Sequence, residues 1–328
     1  MSVSSPRYSV VVPAYNRRDF LLQAIDSCLH QTFQNIEIII SDDCSSEDLR
    51  SVVECFHDSR VQYHRNETRL GAARNHQQSV SRASGAYVLT LNSDDLLLPE
   101  CLEIAGSALD KHYNAAAAYF STTYLTGSTI QGFHDVPDVP FADSDTLLEN
   151  PWLEGYHGTS PSCCLFRKDA FNRIGGYRPG LRFAYDWDLY MRFMRFAGGV
   201  VFVPEVLTVY RRHAEQMSTE RSIDGLLDVL DLWRLREYSH WSPSRIASLA
   251  LTHCSHTVRT GGSVMRVLDE LRRHEARGKL LRGMPAAALR KACGINRDDS
   301  NNSGARYRRP NRVTEAIQAA RAFLDVVS

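Results

Sequence analysis

The apolar, β-rich run AYVLTL at positions 86–91 stops abruptly at Asn92-Ser93-Asp94-Asp95, after which LLLP resumes the apolar character. Adjacent carboxylates repel, and burying them unpaired is costly. They must face water at a turn or meet something positive. Asn, Ser and Asp suit turns and helix N-caps, so a turn is a sufficient account of this segment taken alone. The same arrangement recurs elsewhere. Asp42-Asp43 follow the apolar run IEIIIS at 36–41, and Pro13-Ala14-Tyr15-Asn16 follow YSVVV at 8–12.

These clusters need elements to position them. YSVVV reads as a buried strand. DFLLQAIDSCLHQ follows as a helix with Leu21, Ile25 and Cys28 on one face and Asp19 as its expected cap. IEIIIS is a second strand, SEDLRSVVECFH a helix, VQYHR a third strand, LGAARNHQQSVSRA a helix and AYVLTL a fourth strand. Strands alternating with helices predict a parallel sheet, and ligands of such sheets bind beyond the carboxyl ends of the strands. All three polar clusters fall at carboxyl ends and can converge on one crevice. Convergent negative charge calls for a cation.

The second half is less regular. Residues near 125–160 are rich in Gly, Pro, Asp and Ser and read as loop. SPSCCLFRKDAFNRIGGY resumes with a strand, a short helix and a Gly-Gly turn. AYDWDLYMRFMRF is a helix with Asp186 and Asp188 near its start, and VVFVPEVLTVYRRH is strand-like. Beyond Ser222 a helical stripe runs through Ile223, Leu226, Leu227, Leu230 and Trp233.

Bulk properties narrow the field. The 328 residues suffice for one large or two moderate domains. Apolar residues make up 43% and charged residues 23%, as in ordinary soluble proteins. Lys plus Arg equals Asp plus Glu at 38 each, which argues against wholesale nucleic-acid binding. The eight Cys contain no CxxC pair, so neither zinc spacing nor a secreted disulfide framework is expected, and a reducing compartment is. The N-terminal apolar run is too short for a signal peptide, and no stretch approaches the ~18 apolar residues of a membrane span.

The residues resemble family 2 inverting glycosyltransferases of the GT-A fold over positions 7–221. The resemblance is carried by an ordered set: PAYN after the first strand, SDDCS after the second, GAARN and SGAYV, the D-x-D-type NSD at 92–94, YDWDL at 185–189 and YRRH at 210–213. It implies an α/β chain with a Rossmann-like, mostly parallel sheet, helices on both faces, and a C-terminal helical region. It implies that Pro13, Tyr15, Asp43, Arg74, Asn92 and Ser93 bind the nucleotide-sugar, with Asp43 on the base and Tyr15 stacked on it or lining its pocket. Asp94 and His213 become ligands of Mn²⁺ or Mg²⁺, which stabilises charge on the departing diphosphate; Mn²⁺ accepts imidazole. Asp186 becomes the general base of an inverting transfer, while Asp188 is structural. Two positions depart from the family pattern. Asn92 replaces the first acid of D-x-D, and Tyr185 replaces the acid that often precedes the base. Asn92→Asp, restoring the usual acid, is therefore expected to be tolerated.

The expected partners are a nucleoside diphosphate sugar, such as a UDP-sugar, and a glycan or lipid-linked acceptor of the cell surface. Nucleic acid is not among them. The expected organisation is a catalytic domain at 1–221 and a helical accessory region at 222–328, with a polar linker near 296–312. The expected location is cytoplasmic, with a peripheral contact on the inner face of the membrane as a further expectation. A catalytically weak nucleotide-binding relative is the alternative that Asn92 raises. A nucleotidyltransferase is disfavoured by the absence of glycine in VVPAYNRRDF, and a dehydrogenase by the absence of GxGxxG.

Overall fold

The computed structural model describes residues 5–150, 153, 160–216, 222–233 and 235–238. Trp152, Tyr156, His157, the polar linker and the helices expected beyond 238 lie outside the described residues, as do the side chains of Ile223, Leu226, Leu230 and Trp233.

The first half folds as its periodicity predicts. Strands β1 (Tyr8–Ala14), β2 (Ile36–Asp42), β3 (Val61–Arg65) and β4 (Tyr87–Thr90) alternate with helices α1 (Arg18–Leu29), α2 (Leu49–Glu54) and α3 (Ala72–Arg82). β1 pairs in parallel with β2 on one side and with β4 on the other, and β2 pairs in parallel with β3. Every residue of β1, β2 and β4 is buried, which is why these strands read as unbroken apolar runs. Leu21, Ile25 and Cys28 of α1 are fully buried in the same core. Asp19 is not the cap of α1. The N-cap position is Arg17, and Asp19 sits inside the first turn, where a carboxylate still favours the helix dipole.

The second half adds β5 (Leu96–Leu97), α4 (Cys101–Lys111), β6 (Ala117–Thr126), β7 (Thr129–His134), β8 (Phe141–Ala142), α5 (Ser144–Glu149), β9 (Cys164–Arg167), α6 (Lys168–Arg173), α7 (Tyr185–Phe196) and β10 (Val200–Arg212), followed by α8 (Ser222–Trp233). The ten-stranded sheet runs β3-β2-β1-β4-β9-β6-β10-β5, with β7 on β6 and β8 on β10. Beyond β4 it is mixed: β9 is antiparallel to both β4 and β6, while β10 is parallel to β6. The stretch 125–160 is therefore not all loop, because β7, β8 and α5 lie within it. Their turn-forming residues connect elements too short to show a period. β6 begins in an alanine run that favours helix by propensity. It is a strand because it lies between β9 and β10 with Ala117, Ala118, Tyr119 and Phe120 buried.

The described residues fall into two units, one of residues 5–180 and 185–213, the other of 181–184 and 214–238.

Candidate active site

The strand order reverses at β1, whose neighbours are β2 and β4, so the gap beyond the carboxyl ends of β1 and β4 is the switch point of the sheet. Pro13 keeps that gap open. Leu91 N–H donates to Val11 O at 2.9 Å, so the alternate residue, Pro13, faces β4 too. Lacking an N–H, Pro13 cannot extend the ladder there. The chain after Leu91 turns away, and Asn92-Ser93-Asp94-Asp95 form that turn.

Two antiparallel pairs between β5 and β10, Leu97 with Thr208 and Leu96 with Val209, bring the end of β10 to the turn. This accounts for the apolar LLLP that follows the two acids. As a result, His213 Nε2 lies 3.0 Å from Asp94 Oδ2. The same carboxylate oxygen accepts from Arg17 Nη1 at 2.7 Å. The side chains of Asp94 and His213 are each 14% exposed, so solvent reaches the pair. Arg17 reaches Asp94 from a left-handed backbone, with Asn16 at φ 56° and Arg17 at φ 64°. That conformation costs roughly 1–2 kcal/mol per residue. Asn16 Oδ1 offsets it by accepting from Ser46 N–H at 2.9 Å, and Glu47 accepts the N–H groups of Arg17 and Arg18 at 3.1 and 3.0 Å.

Asp95 turns inward. Its carboxylate accepts from Ser162 Oγ at 2.6 Å, the Arg211 N–H at 3.0 Å and Asn92 Nδ2 at 3.1 Å. Burial first, and then the Asp94 charge, push its pKa above the usual carboxylate range, while the three donors pull the other way. Asn92 Nδ2 also donates to Ser160 Oγ at 3.0 Å. Asn92 is therefore a donor that the buried acid uses, and this argues against the expectation that Asn92→Asp is tolerated. An acid here replaces a donor by a second carboxylate against Asp95. We expect Asn92→Asp to lose about 2 kcal/mol or more of stability at pH 7, read as a lower urea midpoint against wild type. An unchanged midpoint contradicts this role.

Asp42 and Asp43 separate into two jobs. Asp42 closes the turn after β2, accepting from Ser45 N–H at 2.8 Å, and pairs with Arg65 Nη1 at 2.8 Å. Asp43, 3% exposed, accepts from the N–H groups of Leu70 and Gly71 at 2.7 and 2.9 Å and from Asn66 Nδ2 at 3.1 Å. It ties β2 to the loop that opens α3. Tyr15 is partly exposed, with the Arg69 guanidinium 3.8 Å from its ring centroid. Arg74 is exposed on α3, and Ser93 is buried.

Asp186 is the second residue of α7, not its N-cap, and its Oδ1 accepts from Trp187 N–H at 2.8 Å. Its charge is felt by the buried Tyr185, as is that of Asp94; burial is the main cause of the raised Tyr185 pKa. α7 also reaches the Asn92 turn through Tyr190, whose hydroxyl donates to Ser160 O at 3.0 Å. Asp188, fully buried, takes Arg178 at 3.0 Å and Arg192 at 2.6 Å, which fits the structural role expected for it.

Sequence reasoning missed Arg17, Arg211 and His76. Arg211 Nε donates to Asp94 O at 2.8 Å and its Nη2 to Gln23 Oε1 at 2.6 Å, bracing the acidic turn against α1. The adjacent basic residues in YNRRDF and YRRH were the available signal for both arginines. His76 carries no such signal. Its ring packs against Tyr177 and Tyr185, its Nδ1 donates to Ala72 O at 2.9 Å, and its Nε2 makes no hydrogen bond. Burial lowers its pKa to about 4, below an unfolded value near 6.5. The unfolded chain therefore binds the extra proton between those values, and stability falls as pH falls through that window. We expect His76 to contribute a loss on the order of 2 kcal/mol between pH 6.5 and pH 5. Urea midpoints of wild type and His76→Leu at both pH values measure it. A gap between the two proteins that does not change with pH contradicts it.

The fold is that of the GT-A glycosyltransferases: an α/β sheet with its acidic turn at the switch point. The chain belongs to glycosyl transferase family 2, which matches residues 9–175, just over half its length. It is 28% identical over 234 residues to an uncharacterized glycosyltransferase, RP339, of Rickettsia prowazekii, covering 71% of this chain and 72% of that one. The fold is similar to that of S. aureus TarS 1-349 in complex with UDP-GlcNAc, with a TM-score of 0.63 at 17% identity, covering 97% of this chain and 90% of that one. It is also similar to mannosyltransferase PcManGT of Pyrobaculum calidifontis in complex with GDP-Man and Mn²⁺, with a TM-score of 0.54 at 16% identity, covering 90% and 88%. Both structural likenesses concern the fold alone.

Proposed function

We propose that this glycosyltransferase is an inverting enzyme that moves a sugar from a nucleoside diphosphate sugar, a UDP-sugar in the first instance, to a hydroxyl of a glycan or lipid-linked acceptor in cell-surface synthesis. The observation that carries the reading is the 3.0 Å approach of His213 Nε2 to Asp94 Oδ2 at the sheet's switch point. A carboxylate oxygen and an imidazole nitrogen at one point are a donor pair suited to Mn²⁺ or Mg²⁺. These two residues fit the cation; Arg17, already on Asp94, is the group it competes with. Such an ion neutralises the charge that develops on a departing diphosphate.

The chain's own residues do the rest. Asp43 and Tyr15, at the ends of β2 and β1, bound the place for the nucleobase, with Pro13 and Arg74 beside them. Ser93 and Asn92 line the sugar-nucleotide side of the acidic turn. Asp186, in the first turn of α7, takes the proton of the acceptor hydroxyl. Tyr185, buried against His76 and Tyr177, stands where the family often has a second acid, so no second carboxylate precedes the base. The role of Asn92 as donor to Asp95 supplies a structural reason for the missing acid and weighs against an inactive scaffold.

No described helix is long and apolar enough to cross a membrane. The basic, apolar stretch RRHEARGKLLR, on which a peripheral membrane contact was expected, lies outside the described residues. Release of nucleoside diphosphate from a panel of nucleotide sugars, with Mn²⁺ and with chelator, tests the proposal. Turnover of one donor with the ion and none with chelator supports it. Binding without turnover across the panel, in the presence of glycan and lipid-linked acceptors, sinks it.

A further inference from the structure

The basic groups around Asp94 are held in different ways. Arg211 is a fixed brace: it is buried, its Nε donates to Asp94 O at 2.8 Å and its Nη2 to Gln23 Oε1 at 2.6 Å, and its guanidinium lies 4.6 Å from the Phe20 ring centroid. Arg17 is anchored through its backbone. Its N–H donates to Glu47 Oε1 at 3.1 Å, and the N–H of Asn16 donates to Ser45 Oγ at 2.8 Å. The Arg17 side chain is 25% exposed, and its Nη1 sits 2.7 Å from Asp94 Oδ2, the oxygen that His213 Nε2 approaches at 3.0 Å. Asp95 cannot share the work of Asp94, since three donors hold its buried carboxylate. Among the described residues no group of three or more His, Cys, Asp or Glu side chains is placed to hold a metal ion. A divalent cation at this turn therefore has Asp94 and His213, and hard cations complete such a shell with substrate phosphates. A guanidinium on the same carboxylate oxygen repels the cation, whereas a diphosphate attracts both.

We propose that Arg17 is a diphosphate-binding residue held in reserve: it pairs with Asp94 before the nucleotide enters, and then passes its guanidinium from that carboxylate to the diphosphate. Asp94 is thereby released to the cation only together with the nucleotide. The planar guanidinium fork matches carboxylate and phosphate alike, so one anion can replace the other as its partner. The exchange needs only side-chain rotation, because the backbone of residues 16 and 17 is pinned to the 45–47 loop. The inference rests on the reading of this turn as the seat of a nucleoside diphosphate and its cation.

The signature is a pair of opposite changes in binding. Full-length wild type and Arg17→Met are titrated by calorimetry with MnCl₂ alone, with UDP in chelator, and with UDP in saturating Mn²⁺. With the competitor gone, Arg17→Met should bind Mn²⁺ alone roughly tenfold more tightly, the low end of what a hydrogen bond to a charged group contributes. UDP in chelator should bind about as well as to wild type, because Arg17 gives up one anion to take another. Two ligands tighten each other by one reciprocal factor, so the gain in UDP affinity from Mn²⁺ should shrink by the same roughly tenfold. If Arg17→Met does not fold, Arg17→Gln, also uncharged, takes its place with the same expectation. Weaker binding of Mn²⁺ alone makes Arg17 a brace for Asp94 and overturns the proposal. Tighter binding of Mn²⁺ with an undiminished gain in UDP affinity also overturns it, since Arg17 is then a competitor that never reaches the diphosphate. Unchanged affinities overturn it as well. Wild-type UDP affinity that is indifferent to Mn²⁺ overturns the reading of the turn itself, and this inference with it.

Discussion

Asp186→Asn should transfer sugar roughly 10²–10⁴-fold more slowly than wild type, the range that a positioned general base contributes, while its affinity for the nucleotide sugar stays nearly unchanged. The separation follows from what the carboxylate meets. In the proposed reaction the base takes the proton of the acceptor hydroxyl, on the side of the sugar away from the diphosphate, so binding of the donor does not report on it. A purely structural role gives another pattern. The local bond from Trp187 N–H to Asp186 Oδ1 can be kept by the asparagine oxygen. Asparagine is also as good a residue as aspartate at a helix start. A structural Asp186 therefore survives the change with its rate intact. Donor affinity by calorimetry and transfer rate, measured on one sample, decide between the two. Normal transfer moves the role to another acid. Asp188 is a poor replacement, since Arg178 and Arg192 already hold it in the interior. Asp95 is no better, since it is buried and three donors hold it.

What was legible in the sequence was set by period and by strand ends. β1, β2 and β4 are buried throughout, so their apolar runs stand out, and the polar clusters after them mark the mouth of the sheet. The second half was harder for physical reasons. β7 and α5 have six residues each and β8 has two, too few to show a repeat. The alanines of β6 favour helix locally and are made strand by their neighbours. Within the site, the Asp94–His213 approach followed only from the resemblance, because β5 and β10 pair across more than a hundred residues. Arg17 depends on a left-handed backbone that no residue type announces, and Asn16 holds that backbone by side-chain bonds that are seen only once the 45–47 loop is in place. In the sequence Asn92 stands only as a replacement for the first acid of D-x-D. Its value as a donor depends on Asp95 being turned inward, and a pair of adjacent acids in a sequence does not say which one faces water.

Asp94 carries the largest effect of all on donor binding. Its carboxylate is the one acid oxygen on which His213 and Arg17 converge. Removing it leaves two basic side chains that are 14% and 25% exposed and can take up water, so the fold should survive. A divalent cation, in contrast, loses its only carboxylate in the proposed pair. The loss should exceed the roughly 10–100-fold that follows removal of a residue merely supporting a metal ligand. The direct measurement is a calorimetric titration of wild type and Asp94→Ala with UDP, each with Mn²⁺ and with chelator. Wild type should bind UDP far more tightly with Mn²⁺ than without, and Asp94→Ala should show no gain from the ion. Equal tightening of both proteins by Mn²⁺ would contradict the assignment of Asp94 and His213, and with it the central claim that this turn is the seat of the nucleoside diphosphate.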